Sequence, residues 1–145
     1  MKTILAVVIL VATAFTSSAV ETNAAIVNPS VAKDTRYFEL RTYYVAPGKL
    51  EALNARFRDH TCAMFRKHGI EIVGFWMPTS KDQGTENKLV YMLVHQSREA
   101  AQKSWAAFRN DPEWKKVRTE SEANGKLTEK IETVFMVATD YSPMK

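Results

Sequence analysis

One run constrains this chain more than any other segment: Tyr37-Phe38-Glu39-Leu40-Arg41-Thr42-Tyr43-Tyr44-Val45, followed at once by Pro47-Gly48-Lys49-Leu50. The run is rich in aromatic and β-branched residues, which predicts a strand. Successive side chains of a strand point to opposite sides. Phe38, Leu40, Thr42 and Tyr44 therefore share one face, and Tyr37, Glu39, Arg41 and Tyr43 share the other. The first set suits packing beneath helices. After the Pro-Gly step, Leu50, Leu53, Phe57, Thr61, Met64 and Phe65 recur at helical spacing. This predicts a helix over 47–67, with Pro47 at its start, where a missing N–H costs nothing. Gly69 stands where a left-handed residue would close it.

The rest of the chain completes a short list of elements. Glu71 to Met77 predicts a second strand, ended by Pro78, and Lys88 to His95 a third. The polar stretch Thr79 to Asn87, with Gly84, reads as a loop. Ser97 is placed to cap a helix running to Phe108 or Arg109. Asp111 caps a further helical segment that Pro112 opens and Gly125 stops. Leu127 to Thr139 contains the fourth strand. The order β-α-β-β-α-β is that of the ferredoxin-like split motif, an α+β fold in which a four-stranded antiparallel sheet carries its helices on one face.

Such a sheet has a second face, and here both faces are apolar or aromatic. In the third strand Val90, Met92 and Val94 oppose Leu89, Tyr91, Leu93 and His95; in the second, Gly74 and Trp76 lie together. The helical segments cover one face only. An uncovered apolar face calls for a partner, and a second copy of the chain is the simplest one.

The ends of the chain carry an address. Lys2 precedes an apolar run from Ile4 to Phe15, and Ser17-Ser18-Ala19 supplies small residues, so cleavage is expected between Ala19 and Val20. The apolar run is shorter than the roughly 20 residues that span a bilayer, so no stable membrane anchor is expected after cleavage. Residues 20–36 read as a flexible leader and 142–145 as a tail. These features predict a secreted or periplasmic protein. Cleavage removes one cation, Lys2, and takes the net charge from +4 to +3. The basic residues are scattered, which gives no nucleic-acid patch. Cys62 is the sole cysteine, so internal disulfides are excluded. His60, His68 and His95 have no metal-ligand spacing, and no motif calls for a cofactor.

Further along come Lys67-His68-Gly69, Gly74-Phe75-Trp76, Trp105-Ala106-Ala107-Phe108 and Asp111-Pro112-Glu113-Trp114. In this order and spacing, together with the opening run, the chain resembles the NIPSNAP domain family over 37–141. The resemblance implies a dimeric α/β barrel formed by a homodimer, and it implies no agreed chemistry. On that arrangement Glu39, Arg41, Tyr43, Trp76, Tyr91 and His95 would point into the barrel and form a ligand pocket. Arg41 would grip a carboxylate, Glu39 or His95 would move protons, and the aromatics would wall a flat apolar ligand. The alternative for the same residues is structural: Glu39 and Arg41 as a buried ion pair fixing register and dimer interface, and the aromatics as packing. His60 reads as a satisfied core histidine and His68 as a partner of the helix's negative end. Relatives of the barrel group include monooxygenases and isomerases, some binding haem through a helix histidine, a role His60 or His68 would fill. Cys62 reads as a half-buried thiol. A homodimeric module that binds a small apolar or aromatic ligand, or a protein partner, fits these features best. The alternative is an enzyme of monooxygenase or isomerase type, haem-linked in one version, acting on a small aromatic or carboxylate-bearing substrate.

Overall fold

A computed structural model describes residues 29–145. The expected leader peptide, its cleavage site at Ala19 and Val20, and the first part of the expected flexible leader lie outside the described residues. The elements are β1 (Tyr37–Val45), α1 (Leu50–Arg56), a π-helical turn (Phe57–Thr61), α2 (Cys62–Lys67), β2 (Glu71–Trp76), β3 (Lys88–His95), α3 (Arg98–Asn110), α4 (Pro112–Ser121) and β4 (Thr128–Val137). The strands form one antiparallel sheet in the order β2-β3-β1-β4. This is the ferredoxin-like α+β arrangement.

Local chemistry sets most of the element ends. Pro47 lies in a turn before the helix rather than at its first position: Lys49 N–H donates to the Ala46 carbonyl at 3.0 Å, and Gly48 takes φ +70°. A positive φ at the third position of a Pro-Gly turn is the geometry for which glycine is suited. The α1–α2 helix closes as expected at Gly69, also at positive φ. There Ile70 N–H donates to the Phe65 carbonyl at 2.8 Å and Gly69 N–H to that of Arg66 at 3.1 Å, the paired bonds of a Schellman closure. Ser97 Oγ accepts from Ala100 N–H at 3.1 Å. Asp111 Oδ1 accepts from Glu113 N–H at 2.8 Å, with Pro112 in the first turn of α4.

The π-helical turn was not foreseen. Cys62 N–H reaches back to the Phe57 carbonyl, and the Thr61 hydroxyl donates to the Arg56 carbonyl at 3.2 Å. The wider turn leaves Arg58, Asp59 and His60 exposed, while Arg56 and Phe57 are both buried. His60 is therefore a surface residue, not a core histidine. His68 is likewise not paired with its own helix end. Its Nε2 lies 2.8 Å from Asp111 Oδ2, so it joins α2 to the start of α4.

The main core lies between sheet and helices. Tyr43, Leu53, Phe57, Phe65, Tyr91, Leu93, Trp105 and Phe108 form its centre. Phe65 packs against Tyr91, Trp105 and Phe108 with ring centroids 6.2, 5.5 and 5.1 Å away. Truncating such a side chain to alanine costs about 3–5 kcal/mol.

This core overturns the expected assignment of sheet faces. Glu39, Arg41, Tyr43, Tyr91 and His95 lie beneath the helices. Phe38, Leu40, Thr42 and Tyr44 lie on the other face, where β1 pairing sets Leu40 beside Met92 and Val134. Of the two β1 faces only one carries charge, Glu39 and Arg41, so composition favoured the other face for the helices. The buried charge decides: Glu39 finds its partners on α3 and β3, which removes the penalty of placing a carboxylate under a helix layer. The end of the expected leader is also held. Val31 bridges Thr139, Ala32 N–H donates to the Ala138 carbonyl at 2.9 Å and Asp140 N–H to that of Ser30 at 2.8 Å.

Candidate ligand site

β1 and β3 run side by side with Arg41 opposite Tyr91 and Tyr37 opposite His95. Pairing of this kind puts Glu39, Arg41, Tyr91 and His95 within reach of one another on the covered face. Glu39 is the focus. Its Oε2 accepts from the Trp105 indole N–H of α3 at 2.6 Å and lies 2.9 Å from His95 Nε2. Arg41 Nη1 lies 3.6 Å from Glu39 Oε1. The buried ion pair foreseen in the sequence is thus present, and it faces the helices. A carboxylate this buried is tolerable because three donors answer it. Removing a buried partner of this kind costs about 3–5 kcal/mol.

The Arg41 guanidinium carbon lies over the Trp105 ring, 4.4 Å from its centroid, and 5.5 Å from that of Tyr43. The stack and the Glu39 contact fix the guanidinium from two directions. Tyr91 is fully buried, and its hydroxyl has no hydrogen-bond partner among the described residues. Burial, reinforced by the neighbouring Tyr43, pushes its phenol well above the usual value of 10.0.

Of the sequence-predicted site residues, five converge and one does not. Glu39, Arg41, Tyr43, Tyr91 and His95 share the covered face. Trp76 is half exposed on the opposite face, its ring lying over Gly74. It lines a separate cavity of about 300 Å³ with Phe57, Cys62, Phe75 and Leu89. Burial raises the Cys62 thiol above its ordinary value despite nearby Arg66, which leaves it a poor nucleophile. Of the two helix histidines, His60 is exposed and His68 Nε2 is engaged by Asp111. Among the described residues no cluster of His, Cys, Asp and Glu could hold a metal ion, and no helix is long and apolar enough to cross a membrane.

A cavity of about 220 Å³ opens over the Arg41 stack. Arg41, Tyr43 and Trp105 line it from the sheet side and α3, Arg56 from α1, and Trp114 and Arg118 from α4. Glu39 and His95 do not line it. They stand behind Arg41 and Trp105 and hold them in place. Sequence reasoning missed Arg56, Trp105 and Trp114 as site residues. The one available signal was Arg56 itself, a cation adjoining the apolar stripe of Leu53 and Phe57.

The NIPSNAP family model matches residues 38–143. The chain belongs to the NIPSNAP family. A NIPSNAP protein of unknown function from Agrobacterium tumefaciens superposes with a TM-score of 0.69 at 22% identity, covering 80% of this chain and 99% of that one. An uncharacterised NIPSNAP-like domain protein from Burkholderia xenovorans gives 0.65 at 17%, covering 76% and 90%. SnoaB, a cofactor-independent oxygenase from Streptomyces nogalater, gives 0.51 at 16%, covering 75% and 98%. At these identities the likeness is one of fold alone. No curated protein matches the chain.

Proposed function

We propose that this NIPSNAP protein is exported and acts as a homodimeric module that binds a small aromatic or apolar ligand in the cavity over Arg41. The carrying observation is the division of labour beneath that cavity. Glu39 and His95, the acid–base side chains, are withdrawn behind Arg41 and Trp105, while the residues that line the space are those that grip and stack. A binding site needs fixed walls, and the Glu39 network fixes them. Export rests on the apolar leader ending at Ala19. The dimer rests on the bare sheet face, where Leu40, Val90, Met92, Val134 and Trp76 have no helix above them. Exposed apolar surface of this kind marks an interaction site.

Native mass spectrometry of the protein purified from its own host tests the proposal. The expected result is a dimer carrying a reproducible small-molecule mass. A protein that is always empty, and takes up no aromatic compound when offered a panel of them, overturns it.

A second reading has one observation in its favour. Glu39 and His95 are buried in contact at 2.9 Å, and the fold is shared with a cofactor-independent oxygenase. On this reading the protein is a monooxygenase or isomerase, with Arg41 as substrate anchor. Oxygen uptake or isomerisation of an aromatic substrate, lost in His95→Ala with the dimer intact, would favour it over simple binding.

A further inference from the structure

The cavity over Arg41 is charged in a way that its apolar walls do not require. Four guanidiniums line it, those of Arg41, Arg56, Arg109 and Arg118. Two carboxylates answer them: Glu39 beside Arg41, and Glu122, which lies 3.1 Å from Arg56 Nη1 and 3.5 Å from Arg118 Nε. Four cations against two anions leave a surplus of two positive charges around one small space. A surplus of that sign concentrates anions.

Two of the cations are also incompletely satisfied. The Arg56 side chain is 6% exposed. Its Nη1 donates to Ser121 Oγ at 3.3 Å and to Glu122 Oε1 at 3.1 Å. Its Nε–H has no acceptor among the described residues, and the same is true of Arg41 Nε–H. Buried donors without acceptors are uncommon and costly. Both side chains line the cavity, so an oxyanion entering it meets their guanidiniums, while the two Nε–H groups themselves stay buried behind the surface. Each guanidinium is also backed by an indole. Arg41 lies 4.4 Å from the Trp105 centroid and Arg56 5.4 Å from that of Trp114. The stacks hold the guanidiniums in place whether or not the cavity is filled, and they give it flat apolar walls.

We infer that the cavity is a site for a flat aromatic or conjugated carboxylate. Arg41 and Arg56 receive the carboxylate, and Trp105, Trp114 and Tyr43 flank the ring. A planar fork of donors matches the two carboxylate oxygens in a way that a lysine does not. This rests on the reading of the cavity as a ligand site and adds the chemical class of the ligand.

Titration calorimetry with naphthoate and its neutral isostere naphthamide tests it. Naphthoate is expected to bind at least tenfold more tightly than naphthamide. Arg41→Gln, checked for folding by circular dichroism, is expected to remove most of that preference. Should Arg41→Gln fail to fold, Arg109→Gln carries the test. Arg109 is exposed on α3, and its loss is expected to weaken naphthoate about threefold with naphthamide unchanged. Equal affinity for acid and amide, or an acid preference untouched in the folded variant, overturns the inference. If the amide binds as well as the acid, the cavity remains a ligand site and only the acid class falls. If neither binds and the purified protein carries no ligand, both readings fall together.

Discussion

The two faces of the sheet reverse the usual expectation for a small domain. The face beneath the helices holds an ion pair, a histidine and a tyrosine whose hydroxyl is unpartnered. The face with no helices above it holds Leu40, Met92, Val134 and Met136. Charge is buried within the main core, while on the other face Phe38 and Val94 are buried but Val134 and Trp76 are half exposed. Desolvating Glu39 costs free energy that a leucine in its place would not, and replacing buried ion pairs by apolar residues is often neutral or stabilising. Such a cluster is more readily understood as a support for something than as a source of stability, and what it supports here is the Arg41–Trp105 stack. The bare face is the converse. Its residues gain nothing from facing water, so their composition makes sense when another surface covers them.

The comparison can be broken first at the bare face. Leu40 sits at its centre, beside Met92 on one neighbour and Val134 on the other. Leu40→Asp is expected to abolish the dimer while leaving the far-ultraviolet circular dichroism unchanged, as read by light scattering on a sizing column. If the unsubstituted protein is itself a monomer at micromolar concentration, the bare face needs another explanation. The covered face comes next. Glu39→Ala strands Arg41 and His95 without their carboxylate and is expected to cost about 3–5 kcal/mol in denaturant unfolding. A loss below about 1 kcal/mol would mean that the cluster is solvated and contributes no constraint.

The smallest effect sharpens the picture at alkaline pH. Tyr91 has its phenol raised well above 10.0 in the fold. The unfolded chain then releases the Tyr91 proton first, so this contribution to stability is complete below about pH 10 and declines as the pH rises through the folded value. Tyr91→Phe is expected to flatten that decline and to change stability little at neutral pH, because no hydrogen bond is lost. A Tyr91→Phe protein that is as alkali-sensitive as the parent would place the ionisation elsewhere.

Much of this architecture was legible from residue order. The Pro-Gly turn, the Gly69 closure, the Ser97 and Asp111 caps and the alternation of β1 are local devices, each acting within a few residues of itself. They yield the element order, and the order yields the fold. The site was less legible. Arg41 and Tyr43 stood out because they alternate with apolar residues in a strand. Trp105 and Trp114 read as core because helical spacing alone cannot tell a ring that fills a core from one that walls a cavity. Arg56 stands beside Leu53 and Phe57 on the buried side of α1, where a cation in an apolar stripe reads as a rim residue from spacing alone. His60 lies within the π-helical turn, whose greater width carries it off the apolar stripe and into solvent.

By itself, then, the sequence determined the α+β order, the caps and which side chains travel together along each strand. Only the tertiary structure decided which of the two sets lies under the helices and which residues meet over Arg41. The physical reason is symmetry. A period of two states that neighbours face opposite ways and is silent about which way is in. That choice is made when the helices cross over the sheet and Glu39 finds the Trp105 indole and His95 in place to receive its charge.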